Sequence, residues 1–178
     1  MLAGTGGNGG GGICAARHLA NHGANVQLCI SSIEGLVEVP AYQRRIYQNA
    51  GGIEISFEQI ETEKPDLIID ALIGYSLQSA PLGIARTLIN WANRQHAPKL
   101  SLDVPSGIDA TSGETPGEFI RADWTMTLAL PKTGLLPSVT GELYLADVGI
   151  PAETYRILDI PYRTPFDHRF CVPIWAKT

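Results

Sequence analysis

Seven glycines fall between Gly4 and Gly12, interrupted by Thr5 and Asn8, and an apolar helical pattern begins at once behind them. Ile13, Ala16 and Ala20, with Leu19 beside them, repeat at the spacing that buries one face of a helix. Gly23 stands where a left-handed residue ends such a helix. The segment predicts a glycine loop over residues 2–12 that feeds a helix N-terminus. Free backbone N–H groups and the positive end of the helix dipole favour an anion there, and residues without Cβ let a ligand approach the backbone. A plain flexible turn has the same composition.

Gly4-x-Gly6-x-x-Gly9 satisfies the dinucleotide pattern, but a dehydrogenase of that type also places an acid at the end of the second strand for the ribose. Here that strand runs out in Cys29-Ile30-Ser31-Ser32, with Glu34 as the nearest acid. No Gly-Lys-Ser/Thr follows the loop, which excludes a P-loop. A nicotinamide-dependent dehydrogenase is therefore disfavoured.

The chain of 178 residues, 44% hydrophobic and 17% charged, is of a size and composition for one globular domain over 1–178. A net charge of −5 without a basic run argues against a nucleic-acid surface. No apolar run approaches membrane-spanning length, so no membrane segment is expected. Cys14, Cys29 and Cys171 fit neither a zinc site nor a disulfide framework and read as reduced and mostly buried, which suits the cytoplasm. Only Met1-Leu2-Ala3 precede Gly4, fewer than the five or six residues of an average strand. The expectation is either a natural start further upstream or an unusually short first strand.

Residues 25–30 alternate as a strand, Pro40 to Asn49 form a helix stopped by Gly51-Gly52, and Ile53 to Phe57 read as an outer strand. Residues 58–65 read as an acidic connection. The continuous apolar run from Asp66 to Ala71 suits a central parallel strand covered on both faces. Gly83 to Arg94 is an amphipathic helix with Ile84, Leu88 and Trp91 on one side. Lys99 to Asp103 is the next strand, ending in a Val104-Pro-Ser-Gly107 turn. Strands follow at 124–130 and 142–147 with no helix expected between them, and the proline-rich last 30 residues or so are expected to wrap the surface. The alternation implies a doubly wound, mostly parallel α/β sheet.

Ligands of such sheets bind beyond the C-terminal strand ends, at the switch in strand order. In a 3-2-1-4-5 order, Asn8, Asp70, Asp103 and Ser106 converge there. Each acid alone equally suits a helix cap or a set of backbone N–H groups, but their joint placement points to function. Amide, carboxylate and hydroxyl oxygens are ligands for a hard cation, not for zinc or copper. Lys132 has the reach for a phosphate but reads as a solvated lysine, and His18, His22, His96 and His168 receive no role.

Five blocks, in order, carry a resemblance: residues 3–12 (Ala-Gly-Thr-Gly-Gly-Asn-Gly-Gly-Gly-Gly), 70–76 (Asp-Ala-Leu-Ile-Gly-Tyr-Ser), 103–109 (Asp-Val-Pro-Ser-Gly-Ile-Asp), 127–132 (Thr-Leu-Ala-Leu-Pro-Lys) and 146–151 (Ala-Asp-Val-Gly-Ile-Pro). Together they resemble the YjeF N-terminal domain family, whose best-known members are NAD(P)H-hydrate epimerases. The resemblance implies a Rossmann-like three-layer α/β/α sandwich and interconversion of the C6 epimers of hydrated NADH or NADPH. It implies a potassium ion on Asn8, Asp70 and Ser106, with Asp103 at the substrate and as acid/base. Substrate contacts would come from Gly7, Asn8, Gly9, Gly10 and Gly11, and from Gly74, Tyr75, Ser76, Leu77, Gln78, Ser79 and Ala80.

Where the family loop usually reads Asn-Asn-Gly-Gly-Asp-Gly, this chain has glycine at 7 and 11, so two polar side chains are missing. An alternative follows: a nucleotide-binding or scaffold protein that keeps the fold without turnover. The family's helical segment before the first strand and its fused dehydratase domain are expected to be absent from this chain. A separate dehydratase is the implied pathway partner, and a homodimer is compatible with the resemblance.

Overall fold

The computed structural model describes residues 1–174 and contains one eight-stranded sheet. Strands β1 (Leu2–Ala3), β2 (Gln27–Ile30), β3 (Ile53–Glu54), β4 (Ile68–Ala71), β5 (Lys99–Leu102), β6 (Trp124–Leu128), β7 (Glu142–Ala146) and β8 (Cys171–Pro173) lie in the order 3-2-1-4-5-6-7-8. All pairings are parallel except that of β8 with β7. The chain moves outward from β1 through β2 to β3, then returns to the other side of β1 as β4, so the switch point lies between β1 and β4. The expected 3-2-1-4-5 core is present.

Successive residues of a strand face opposite sides of the sheet, and the two layers follow from that. Ala3, Leu28 and Ile30 pack with Ile13 and Ala16 of α1 (Gly7–Asn21) and Tyr47 of α2 (Glu38–Asn49). Leu2, Cys29 and Ile68 point the other way, against Ile60 of α3 (Phe57–Ile60) and Leu88, Ile89, Trp91 and Ala92 of α4 (Gly83–Arg94). Thus β1, only two residues long, contributes one fully buried side chain to each layer.

Several expectations are corrected. The glycine stretch is not a loop to residue 12: α1 starts at Gly7. A Cβ on Gly9 would lie 1.9 Å from the Gly4 carbonyl oxygen, and one on Gly12 would lie 2.4 Å from the Ala71 Cβ. These glycines are there so that the helix can lie directly on β1 and β4, not to make a loop flexible. Helix α3 interrupts the expected strand and acidic connection because Ser56 and Gln59 form a reciprocal capping box. A one-turn helix, α5 (Pro137–Thr140), stands between β6 and β7, started by proline in its first turn.

The C-terminal part is more than a surface wrap, since it contains α6 (Ala152–Ile157) and the antiparallel edge strand β8. Residues 175–178, the end of that expected wrap, lie outside the described residues. Cys29 is buried and Cys14 half-buried as expected, but Cys171 on the edge strand is exposed.

Candidate functional site

A cavity of about 990 Å³ opens beyond the C-terminal ends of β1, β4, β5 and β6. Each strand delivers its following segment to the wall: Thr5 to Gly9 with Gly11, Leu72 to Ser76, Asp103, and Leu128 to Lys132. The far wall is apolar and comes from the C-terminal part, through Ile150, Tyr155, Leu158 and Ile160.

The start of α1 forms one side. Gly6 precedes it in extended conformation and no side chain caps the first turn. The first intrahelical bond of that end runs from Gly10 N–H to the Gly6 carbonyl. The N–H groups of the first turn before it remain available to an anion. Gly7 and Gly11, one turn apart on the cavity side, have nothing within 4 Å of where a Cβ would stand.

Asp103 stands opposite, 6% exposed, with φ of 67°. This left-handed conformation is uncommon outside glycine, and Asp tolerates it better than most residues. Its Oδ2 accepts from Tyr75 N–H at 3.3 Å, and its Oδ1 accepts from Leu128 N–H at 3.5 Å and from the Lys132 ammonium. A Cβ on Gly74 would lie 3.0 Å from the Asn8 Cβ and 3.2 Å from Asp103 Oδ2. Asn8, Gly74 and Asp103 therefore meet. The Asn8 amide donates to the Leu102 carbonyl at 3.0 Å, which leaves its own oxygen uncommitted among the described residues.

Asp70 and Ser106 are fully buried and lie under the cavity floor, not on its wall. The Ser106 hydroxyl and backbone N–H, the Ser101 hydroxyl and Leu72 N–H all donate to the Asp70 carboxylate. Burial pushes the Asp70 carboxyl above its ordinary range, and the donors from Ser106, Leu72 and Ser101 oppose that shift. Among the described residues no Lys, Arg or His pairs with it. The donor set is all oxygen and its charge lacks a countercharge, so Asp70, Ser106 and Asn8 fit a monovalent cation in charge and donor type. No group of three or more His, Cys, Asp and Glu side chains able to hold a metal occurs among the described residues.

Of the other expected contacts, Gly7, Asn8, Gly9, Gly11, Gly74, Tyr75 and Ser76 line the cavity. Gly10 does not; its Cα faces Pro40 of α2. Leu77, Gln78, Ser79 and Ala80 are also off the wall, and Ala80 lies against Gly117. The expectation for Lys132 is overturned. It is only partly exposed and reaches Asp103, the Thr127 hydroxyl at 2.9 Å and the Leu128 carbonyl at 2.8 Å. The C-terminal wall residues were not foreseen either, although Ile150-Pro151 followed by a helix-forming Ala-Glu-Thr-Tyr is a legible helix start.

The model of the family described as YjeF-related protein N-terminus matches residues 1–134. The chain belongs to that family. Among similar YjeF-related proteins, one from Dehalogenimonas lykanthroporepellens named NAD(P)H-hydrate epimerase is 51% identical over 99% of this chain and 73% of its own length. Another protein of that name, from Rhodopirellula baltica, is 33% identical over 88% of this chain and 68% of its own. A Moorella thermoacetica protein named bifunctional NAD(P)H-hydrate repair enzyme Nnr is 36% identical, and the chain spans all of its own length but only 35% of that relative. The crystal structure of the yeast protein YNL200c shares the YjeF-type fold with a TM-score of 0.80 at 22% identity, covering 97% of this chain and 75% of that one.

Proposed function

We propose that this chain is an NAD(P)H-hydrate epimerase, interconverting the C6 epimers of hydrated NADH and NADPH. The observation that carries the reading is Asp103. It is a nearly buried carboxylate held across a cavity from the uncapped first turn of α1, in a chain half identical to a relative of that name. The substrate's phosphates suit the N–H groups of Gly7, Asn8 and Gly9, and its hydrated ring suits the gap between Asn8, Gly74 and Asp103.

At C6 of the substrate a hydroxyl shares its carbon with the ring nitrogen. That hydroxyl takes a proton from solvent and leaves as water while the nitrogen lone pair forms the C=N bond. Water then adds to the opposite face of C6 and gives its surplus proton to the Asp103 carboxylate, which Lys132 and the Tyr75 and Leu128 N–H groups hold in place. Proton transfer by a positioned side chain contributes about 10²–10⁴-fold. A potassium ion held by Asn8, Asp70 and Ser106 would supply a fixed positive charge under the cavity floor.

The bifunctional relatives support a dehydratase as consumer of one epimer. The unpaired cysteines suit a reducing compartment, and no described helix is long and apolar enough to cross a membrane. We place the reaction in the cytoplasm.

The test is a chromatographic assay of epimer interconversion, with and without potassium. Faster interconversion than in buffer is expected, and a rate no faster than buffer rejects the reading. Gly7 and Gly11 favour one competitor, a binding protein without turnover, because the side chains usual in the family are missing there. Both positions have room, so Gly7→Asn with Gly11→Asp is expected to fold. Activity that appears only in that double variant supports the binding reading of the natural sequence.

A further inference from the structure

The structure assigns Lys132, together with Thr127, as the positioning pair that holds Asp103 in its working orientation; this rests on the epimerase reading. A lysine ammonium has three N–H donors and no acceptor. All three are accounted for here, by Asp103 Oδ1, the Thr127 hydroxyl at 2.9 Å and the Leu128 carbonyl at 2.8 Å. Lys132 has no donor left for a substrate phosphate, although it lines the cavity.

The pairing is not a loose surface bridge. The Lys132 side chain is 21% exposed and that of Asp103 9%, while Thr127 is fully buried in β6. The two oxygens of Asp103 are consequently unequal. Oδ1 is occupied by Lys132 and approached by Leu128 N–H, whereas Oδ2 receives a single longer bond from Tyr75 N–H and faces Gly74. Oδ1 is the tether and Oδ2 the oxygen free to exchange a proton. The backbone around this arrangement is held in an uncommon state on both strands, since Asp103 after β5 and Ala129 after β6 have φ of 67° and 64°. A cation fixed between the two strand ends keeps the carboxylate from rotating out of the site.

The experiment measures epimerisation, folding and substrate affinity for the wild type, Lys132→Met, Lys132→Ala and Thr127→Val. Lys132→Met is expected to lower kcat by at least about 10²-fold, the low end of the range for losing a general acid or base, with KM changed less than about threefold. Methylamine is expected to restore part of the rate to Lys132→Ala, which a merely structural lysine would not allow. Thr127→Val retains the ammonium and is expected to lose about tenfold in kcat, short of the full effect of losing the proton-transfer group. A wild-type kcat in Lys132→Met overturns the role. So does a loss in which KM rises in step, the melting temperature falls and methylamine restores nothing. An inactive wild type overturns the epimerase reading and this role with it, whereas an active wild type beside an equally active Lys132→Met overturns this role alone.

Discussion

Asp103 leaves β5 in a left-handed conformation, and its carboxylate is gripped from β6 by Lys132 and Leu128 and from the β4 side by Tyr75. Asp103→Asn retains size and tolerance of that conformation but removes proton transfer. Turnover is expected to fall by about 10²–10⁴-fold with substrate affinity changed far less, as read from kcat against KM. Ala129 has no such tolerance. Ala129→Gly is expected to gain up to about 1 kcal/mol in urea unfolding, because relief of the left-handed strain exceeds the entropy cost of glycine. The cysteines divide by environment: burial pushes the Cys29 thiol up to about 11, while Cys171 is exposed. At pH 8 a thiol reagent is expected to titrate Cys171 rapidly and Cys29 only after unfolding. Asp70 and Asp103 are legible in the sequence as acids at strand ends, and Asn8 and Ser106 as polar residues in the segments that follow β1 and β5. Lys132 was not, because nothing local marks a lysine whose partners are a carboxylate 29 positions away and the strand before it.

Among the elements, both ends of α4 are legible in the sequence, but of the expected face Ile84 is exposed at the first turn and the buried side is Leu88, Ile89, Trp91 and Ala92. Leu88 is fully buried there, and Leu88→Ala is expected to cost about 2–5 kcal/mol in equilibrium unfolding. The start of α1 is not legible, because the five glycines among its first six residues carry no apolar period and the close approach of Gly9 and Gly12 to the sheet is a tertiary contact. The short helices were hidden for different reasons. The capping box that starts α3 was present as Ser56-x-x-Gln59, but the strand-like alternation before it masked the signal. Strand β8 has three residues, one of them a proline, so its identity comes from pairing with β7 rather than from its own sequence.

For the whole molecule, the alternation of strands and helices specified the doubly wound sheet and its switch point, which in turn located the cavity. What it left out was the wall supplied by residues 150–160, which no strand-end rule anticipates. The cation belongs to this scale because its proposed ligands come from three separate segments. Potassium is expected to raise the melting temperature relative to tetramethylammonium at equal ionic strength, as mass action requires of a ligand bound by the folded state. Asp70→Ala is expected to abolish that difference and Ser106→Ala to reduce it. The potassium difference is the quantity to read, since Asp70→Ala also strands buried donors at about 1–3 kcal/mol each. Identical curves in the two salts for the wild type reject the site.

The glycine helix also governs how this protein can drift. Positions 9 and 12 touch the sheet so closely that every side chain a point mutation can introduce collides with backbone or with Ala71, whereas positions 7 and 11 open on empty space. Any ordinary residue at 11 would also improve helix propensity by up to about 1 kcal/mol over glycine. Variation in α1 is therefore channelled to the two glycines that face the cavity, and the cheapest mutational steps there are those that reshape its wall.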